Sequence, residues 1–370
     1  MEHWNTQLES LSPERRQAMA FLQSHLPASD LDCYPFSLFL QFADHALALR
    51  QHAPWCAGLD EEVFLHYVLF PRVNDEDLSF HRTLFYDALW ERVAGLASDE
   101  ERVLAVNRWC HEEASYQFQD DRTASPLTVF RNGSGRCGEE SAFLVAALRS
   151  VGIAARQVYS PRWAHCDDNH AWVEALCDGQ WRFLGACEPE PILDRGWFNT
   201  AASRAILVHS RLFGTGTSPL HGTLLGSTGA VAWYNQTARY AHTRTYTFQV
   251  MRDGLPAAGA AVHIQVLNEA SFHTITTLTA DGAGQAQVEL GLGDFHVQAQ
   301  LDGMTAEGDC TGPTLTLELE RPGQSATDWE DFTMAAPKDA SIHPALLTPA
   351  QKEERAAVLA TGSAHWEGKL

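Results

Sequence analysis

Arg131-Asn-Gly-Ser-Gly-Arg-Cys137-Gly-Glu-Glu-Ser141 leads without interruption into Ala142-Phe-Leu-Val-Ala-Ala-Leu-Arg-Ser150. The first stretch is turn chemistry. The second predicts a helix over Gly138–Ser150, with Phe143, Ala146, Ala147 and Ser150 on one face and Gly152 as its stop. Cys137 therefore stands where a loop becomes a helix. Unpaired N–H groups and the positive end of the helix dipole meet there, and both lower a thiol pKa. Gly135 and Gly138 leave room for an approaching substrate backbone. The same N–H groups, that of Cys137 first, can hold a developing oxyanion. Glu139 and Glu140 partly oppose a thiolate, so the thiol needs a nearby imidazole.

Short β segments follow at Ile153–Tyr159, His170–Cys177 and Trp181–Cys187, with Asp178-Gly179 as a hairpin signal. A buried helix followed by an antiparallel sheet is an α+β unit. In Asn169-His-Ala-Trp-Val-Glu174, a strand puts His170, Trp172 and Glu174 on one face. His170 is the candidate base, forming a thiolate–imidazolium pair with Cys137. Glu174 lies roughly 13 Å along the strand from His170 and is too far to orient it. The returning strand offers Glu188 in Cys187-Glu-Pro189. A two-residue turn at Asp178-Gly179 would set Cys187 opposite His170; a three-residue loop, Asp178 to Gln180, would set Glu188 there. The chemistry favours the second register, making Glu188 the third catalytic group. Arg136, Gly138, Asn169 and Trp172 flank these positions and are expected to line the substrate cleft.

Outward from this core, residues 1–98 read as a helical region. Helices are expected from Ser12-Pro13 onward and over Ser37–His52, Asp60–Phe70 and His81–Ala97. Ser98-Asp-Glu-Glu101 is a capping box ahead of a helix Arg102–Tyr116. The catalytic unit then spans 99–242, its last part (196–242) an irregular cover rich in Gly, Ser and Thr. Residues 243–321 alternate apolar and polar, as at Val262, Ile264 and Val266, with turns at Asp253-Gly254 and Asp281-Gly282. They predict a small β-sandwich. Residues 322–370 form a polar tail with a short helix after Thr348-Pro349.

Composition narrows the function. The 370 residues carry 26 Lys and Arg against 47 Asp and Glu, a net charge of −21. Such a surface repels phosphate backbones and anionic lipid heads, which argues against nucleic-acid and membrane partners. Met1–Ser10 shows no basic-then-apolar leader, and with Met1 as the natural start the expected location is cytoplasmic. None of the eight cysteines stands three positions from another, so the usual zinc knuckle is missing. His165-Cys-Asp-Asp168 reads as a polar loop beside the cleft rather than a metal site. No cofactor and no metal are expected, and the expected partner is a peptide or protein substrate.

Gly-Arg-Cys137-Gly-Glu with its helix, Gly-Ile-Ala-Ala-Arg156, Asn-His170-Ala-Trp-Val-Glu and Cys-Glu188-Pro, in that order, resemble the transglutaminase-like superfamily of thiol enzymes. The resemblance covers about residues 100 to 195 and implies a papain-like core. Carried over, Cys137 matches the nucleophile, His170 the base, and Glu188 the place usually held by an Asp. It implies acyl transfer from an amide, with hydrolysis of a peptide or amide bond favoured. Amine-crosslinking of glutamine and non-catalytic peptide binding are the alternatives within the superfamily. The paired Cys-x-x-Cys motifs of its N-glycanase branch are absent. The segment 243–321 resembles the Ig-like or carboxypeptidase-regulatory-like modules of bacterial enzymes.

Overall fold

The computed structural model describes residues 2–118, 123–321, 333–343 and 346–366. At its centre is the helix Cys137–Ser150, in which every residue from Glu139 onward is buried. The amphipathic face read from the sequence is thus only one of several covered faces. Helices Arg82–Val93, Asp99–Glu113 and Pro126–Asn132 pack on one side, and a sheet packs on the other. Phe85, Trp109 and Phe143 meet as an aromatic cluster in this core, joined from the sheet by Val173 and Ala175. Burial of each such large apolar side chain contributes about 1.5–3 kcal/mol. Gly152 takes φ +82°, and a Cβ there would stand 2.9 Å from Cys56 Cβ, so the helix stop is also a packing requirement.

The capping box forms as expected: Ser98 Oγ accepts from the Glu101 N–H while Glu101 accepts from the Ser98 N–H. The helix it starts ends at Glu113 rather than Tyr116. Ser115–Tyr116 instead forms strand β1, paired in parallel with β2, Ser134–Gly135, immediately ahead of Cys137. The expected helix Asp60–Phe70 is two pieces, Glu61–Phe64 and a π-turn Leu65–Leu69.

The main sheet has six strands: β3 Ala155–Ser160, β4 His170–Cys177, β5 Gln180–Leu184, β6 His209–Phe213, β7 Thr223–Thr228 and β8 Val231–Asn235, in the order β5-β4-β3-β6-β8-β7. Half of it comes from the stretch expected to be an irregular cover. The N-terminal helices pack against this sheet, Leu22 and Phe39 sharing one core with Trp181, Leu212 and Tyr234.

The hairpin between β4 and β5 departs from the expected register. Cys177 pairs with Gln180, so the loop is the two-residue Asp178-Gly179, with φ of 49° and 76°. Two positive φ values make this the primed turn that matches strand twist and suits Asp-Gly. Pairing stops at Leu184, and neither Cys187 nor Glu188 lies opposite His170 on a strand.

Beyond residue 242, two four-stranded sheets share one apolar core. One holds β9 Thr243–Arg252, β10 Leu255–Pro256, β13 Gln285–Gly291 and β16 Thr314–Glu318. The other runs β12-β11-β14-β15, from β11 Ala261–Asn268, β12 Ser271–Thr279, β14 Phe295–Leu301 and β15 Met304–Cys310. The C-terminal helix, Pro349–Trp366, is 18 residues long rather than short. It returns to the helix Asp99–Glu113, where Arg108 pairs with Glu354, and Arg355 reaches Glu190.

Candidate active site

The Cys137 loop is held from three sides. β1 fixes Ser134–Gly135 through Ser115 N–H to Gly133 C=O (3.0 Å) and Gln117 N–H to Gly135 C=O (2.9 Å). From β3, Gln157 Nε2 donates to Ser141 Oγ (2.7 Å) and Gly138 C=O (3.1 Å). Arg136 closes the helix start: its N–H and guanidinium both bind the Glu139 carboxylate, at 2.6 and 2.7 Å. Glu139 is therefore neutralised by Arg136 rather than set against the thiol. Gly135 serves this packing, since a Cβ there would stand 2.8 Å from Glu139 Cβ, whereas a Cβ on Gly138 would meet nothing. The space beside Gly138 is open, as the room expected there for a substrate backbone would need.

Cys137, His170 and Glu188 line one cleft of about 320 Å³, together with Asn169, Tyr116, Glu140 and Trp197. Arg136, Gly138 and Trp172 do not line it. Trp172 is fully buried in a separate cluster with Trp163, Phe198 and Tyr240, because the strand face that begins with His170 turns into core two residues later. Glu174 continues that face as a buried carboxylate bound by Arg156, Arg239 and the Tyr240 hydroxyl. Tyr116, Glu140 and Trp197, with the small Ala171 and Ala186, line the cleft without a signal in the sequence that assigns them to it. In the sequence Tyr116 stands at an expected helix end and Trp197 in the expected irregular cover, and Glu140 reads only as an opposing charge.

Glu188 reaches the cleft by a turn, not by strand register. Cys187 sits at φ +57°, uncommon for a residue with a side chain. Asn107 clamps the turn, donating to Gly185 C=O (2.9 Å) and accepting from Cys187 N–H (3.0 Å). A Cβ on Gly185 would stand 2.5 Å from Glu188 Oε2, so a side chain there would displace the carboxyl from its position. Trp197 Nε1 donates to Glu188 Oε1 at 3.0 Å. Glu188 Oε2 and His170 Nε2 are both buried without a hydrogen-bond partner among the described residues.

Burial dominates the electrostatics. It pushes the Cys137 thiol up, although the backbone N–H groups of Ala171 and Gly138 pull the other way. It holds the His170 imidazole down at about 4 and pushes the Glu188 carboxyl up to about 7. Glu140 is carried well above the carboxylate range by burial, reinforced by Cys187, Glu188 and Glu139. Both directions at Cys137 and His170 oppose the expected thiolate–imidazolium pair. Burial thus favours the uncharged form of each group, against the pull of the helix N-terminus on the thiol.

The sandwich contributes to the cleft indirectly. At the end of β11, Asn268 Nδ2 donates to the carbonyls of Trp163 (3.0 Å), Cys166 (2.9 Å) and Asp168 (3.3 Å). This pins the loop that leads into Asn169 and His170. Asp167 in turn accepts from Glu269 N–H, and Asp168 accepts from Asn169 N–H, so both carboxylates organise the loop.

Residues 87–186 match a family model described as the transglutaminase-like superfamily. Among solved structures, a proposed cysteine protease from Cytophaga hutchinsonii aligns at 16% identity and TM-score 0.30, covering 49% of this chain and 65% of that one. A red sea bream transglutaminase aligns at 10% identity and TM-score 0.24, covering 80% and 58%. A further structure described as a TGase aligns at 15% identity and TM-score 0.24, covering 29% and 31%. The chain thus spans less than two thirds of each of these structures. No curated protein matches it. The matched residues take in the buried helix Cys137–Ser150 and the strands β3, β4 and β5, so this stretch of the chain is similar to the transglutaminase-like superfamily.

Proposed function

We propose that the chain is a cysteine-dependent acyl-transfer enzyme that hydrolyses a peptide or amide bond. Cys137 Sγ attacks the carbonyl carbon as His170 accepts the thiol proton. The imidazolium then gives that proton to the leaving amine as the C–N bond breaks, leaving a thioester. Water, deprotonated by His170, adds to the thioester and releases acid and thiol. Glu188 as a carboxylate stabilises the imidazolium during both steps. Burial, which favours the uncharged thiol and imidazole, suits proton transfer in step with attack.

One observation carries this reading: the thiol, the imidazole and the acid share a single cleft, where the imidazole Nε2 and the carboxyl Oε2 have no hydrogen-bond partner among the described residues. Buried polar atoms without partners are costly. A substrate-bound state that joins them removes that cost.

A second reading is amine transfer, favoured by an adjoining hollow of about 370 Å³ that shares Tyr116, Glu140, Glu188 and Trp197 with the cleft. Such a hollow offers space for a second substrate bearing an ammonium group.

The test profiles a glutamine- and asparagine-containing peptide library with wild type and Cys137→Ser, with and without a primary amine. Cleavage or ammonia release that needs Cys137 and does not incorporate amine supports hydrolysis. Amine incorporation supports the second reading. No Cys137-dependent product in either arm contradicts both.

A further inference from the structure

Outside the thiol cleft, the helix Glu61–Phe64 runs directly into the π-turn Leu65–Leu69. Such π-turns are rare and concentrate at functional sites. Across this junction Glu62 and His66 each present a ligand atom. His221 presents a third from the 3-10 turn Pro219–His221, and the three atoms lie within 4.8 Å of one another. We propose that Glu62, His66 and His221 bind a single zinc-class divalent cation, with water in the remaining position.

Two imidazoles and a carboxylate are a donor set that zinc takes readily while keeping one position open. His66 and His221 are buried, whereas Glu62 retains 26% exposure and so leaves a way in from solvent. Two observations point to a ligand here. His66 is 96% buried (4% exposed), and its Nδ1 has no hydrogen-bond partner among the described residues. Gly216 lies against the other two donors, and a Cβ there would stand 2.0 Å from His221 Nε2 and 2.5 Å from Glu62 Oε1. Glycine keeps both donor atoms clear of a side chain.

The surroundings act as an outer shell. The Tyr67 hydroxyl meets His221 Nδ1 at 2.6 Å, fixing the ring. Glu62 is held by the Thr217 hydroxyl at 3.0 Å and by the N–H groups of Thr217 and Ser218. Without metal, His221 Nε2–H donates to Glu62 Oε1 at 2.8 Å. On binding, the Nε2 lone pair goes to the ion and the ring proton resides on Nδ1, where it donates to the Tyr67 oxygen. The imidazole stays neutral and no proton is lost. A bound ion would tie the N-terminal helices to the connection that leads into β7.

The experiment uses the full chain, free of affinity tag, in a Cys137→Ala background so that the thiol cleft cannot compete. After chelator stripping, zinc is titrated against a chromophoric chelator, and thermal unfolding is followed with and without zinc. The expected result is one zinc per chain and a higher unfolding midpoint with zinc. His66→Phe keeps the Glu62–His221 hydrogen bond, and Glu62→Gln keeps the bonds around the carboxyl position. Each is expected to weaken zinc more than the roughly 10–100-fold that loss of an outer-shell partner costs, and to abolish the zinc-dependent rise. Cobalt should give a ligand-field spectrum that His66→Phe removes. Absence of stoichiometric binding, or binding that survives both substitutions, overturns the proposal.

Discussion

Glu188→Gln separates the cost of the candidate acid from its use. Burial lifts this carboxyl from an ordinary 4.5 to about 7, against the Trp197 hydrogen bond that lowers it. Between those values the folded chain retains a proton that the unfolded chain has released. Wild-type stability therefore falls as pH rises through this window and levels off above about 7. At 1.36 kcal/mol for each tenfold, full ionisation in the fold costs about 3 kcal/mol. Gln cannot ionise, and its Oε1 can still accept from the Trp197 indole. Denaturant unfolding of both proteins at about pH 5 and about pH 8.5 reads the difference. The stability of Glu188→Gln relative to wild type should rise by about 2–3 kcal/mol between the two. The variant should also lose turnover, because a neutral amide cannot stabilise an imidazolium. A stability difference that is the same at both pH values refutes the reasoning, since the carboxyl would then titrate as it does in the unfolded chain.

Three further outcomes follow from the same structure. With the thiol raised and His170 at about 4, Cys137 alkylation by iodoacetamide should be slow at about pH 6 and climb about tenfold per pH unit. A rate already flat from about pH 5 upward would mean a preformed ion pair. Glu174→Ala strands the Arg156 and Arg239 guanidiniums that bind this carboxylate; a loss of about 3–5 kcal/mol in denaturant unfolding is expected, and a loss below about 1 kcal/mol would show the network to be inessential. Asn268→Ala removes three contacts to the 163–168 loop. Amide exchange there should accelerate, and unaltered protection would show that the loop is held by other groups.

What the sequence revealed follows from how local each signal is. Strand β4 is observed over His170–Cys177 as read, because its apolar run is closed by the turn residues Asp178-Gly179. The Ser98–Glu101 box and the loop-to-helix junction at Cys137 were legible for the same reason. Glu188 lines the cleft with Cys137 and His170, but not through the strand register that the sequence suggests. Strand pairing ends at Leu184, and the carboxyl is delivered by a turn that Asn107 holds from 80 residues away. β7 carries no alternating burial, and β6 pairs β3 across the intervening hairpin, so neither announces itself locally. The parallel pair β1–β2 is two residues long and exists only because distant segments meet. Trp172 shares a strand face with His170, yet period-two alternation alone does not tell where a face passes from cleft to core.

The account rests on Cys137 as a nucleophile served by His170. Brief exposure to p-nitrophenyl acetate, acid quench and peptide mapping by mass spectrometry test this directly, comparing wild type, Cys137→Ala and His170→Ala. The account predicts one acetyl thioester per chain on Cys137, absent in Cys137→Ala and formed far more slowly in His170→Ala. Acetyl groups scattered over other cysteines and lysines, with Cys137 acetylated at the same rate in His170→Ala as in wild type, would contradict it.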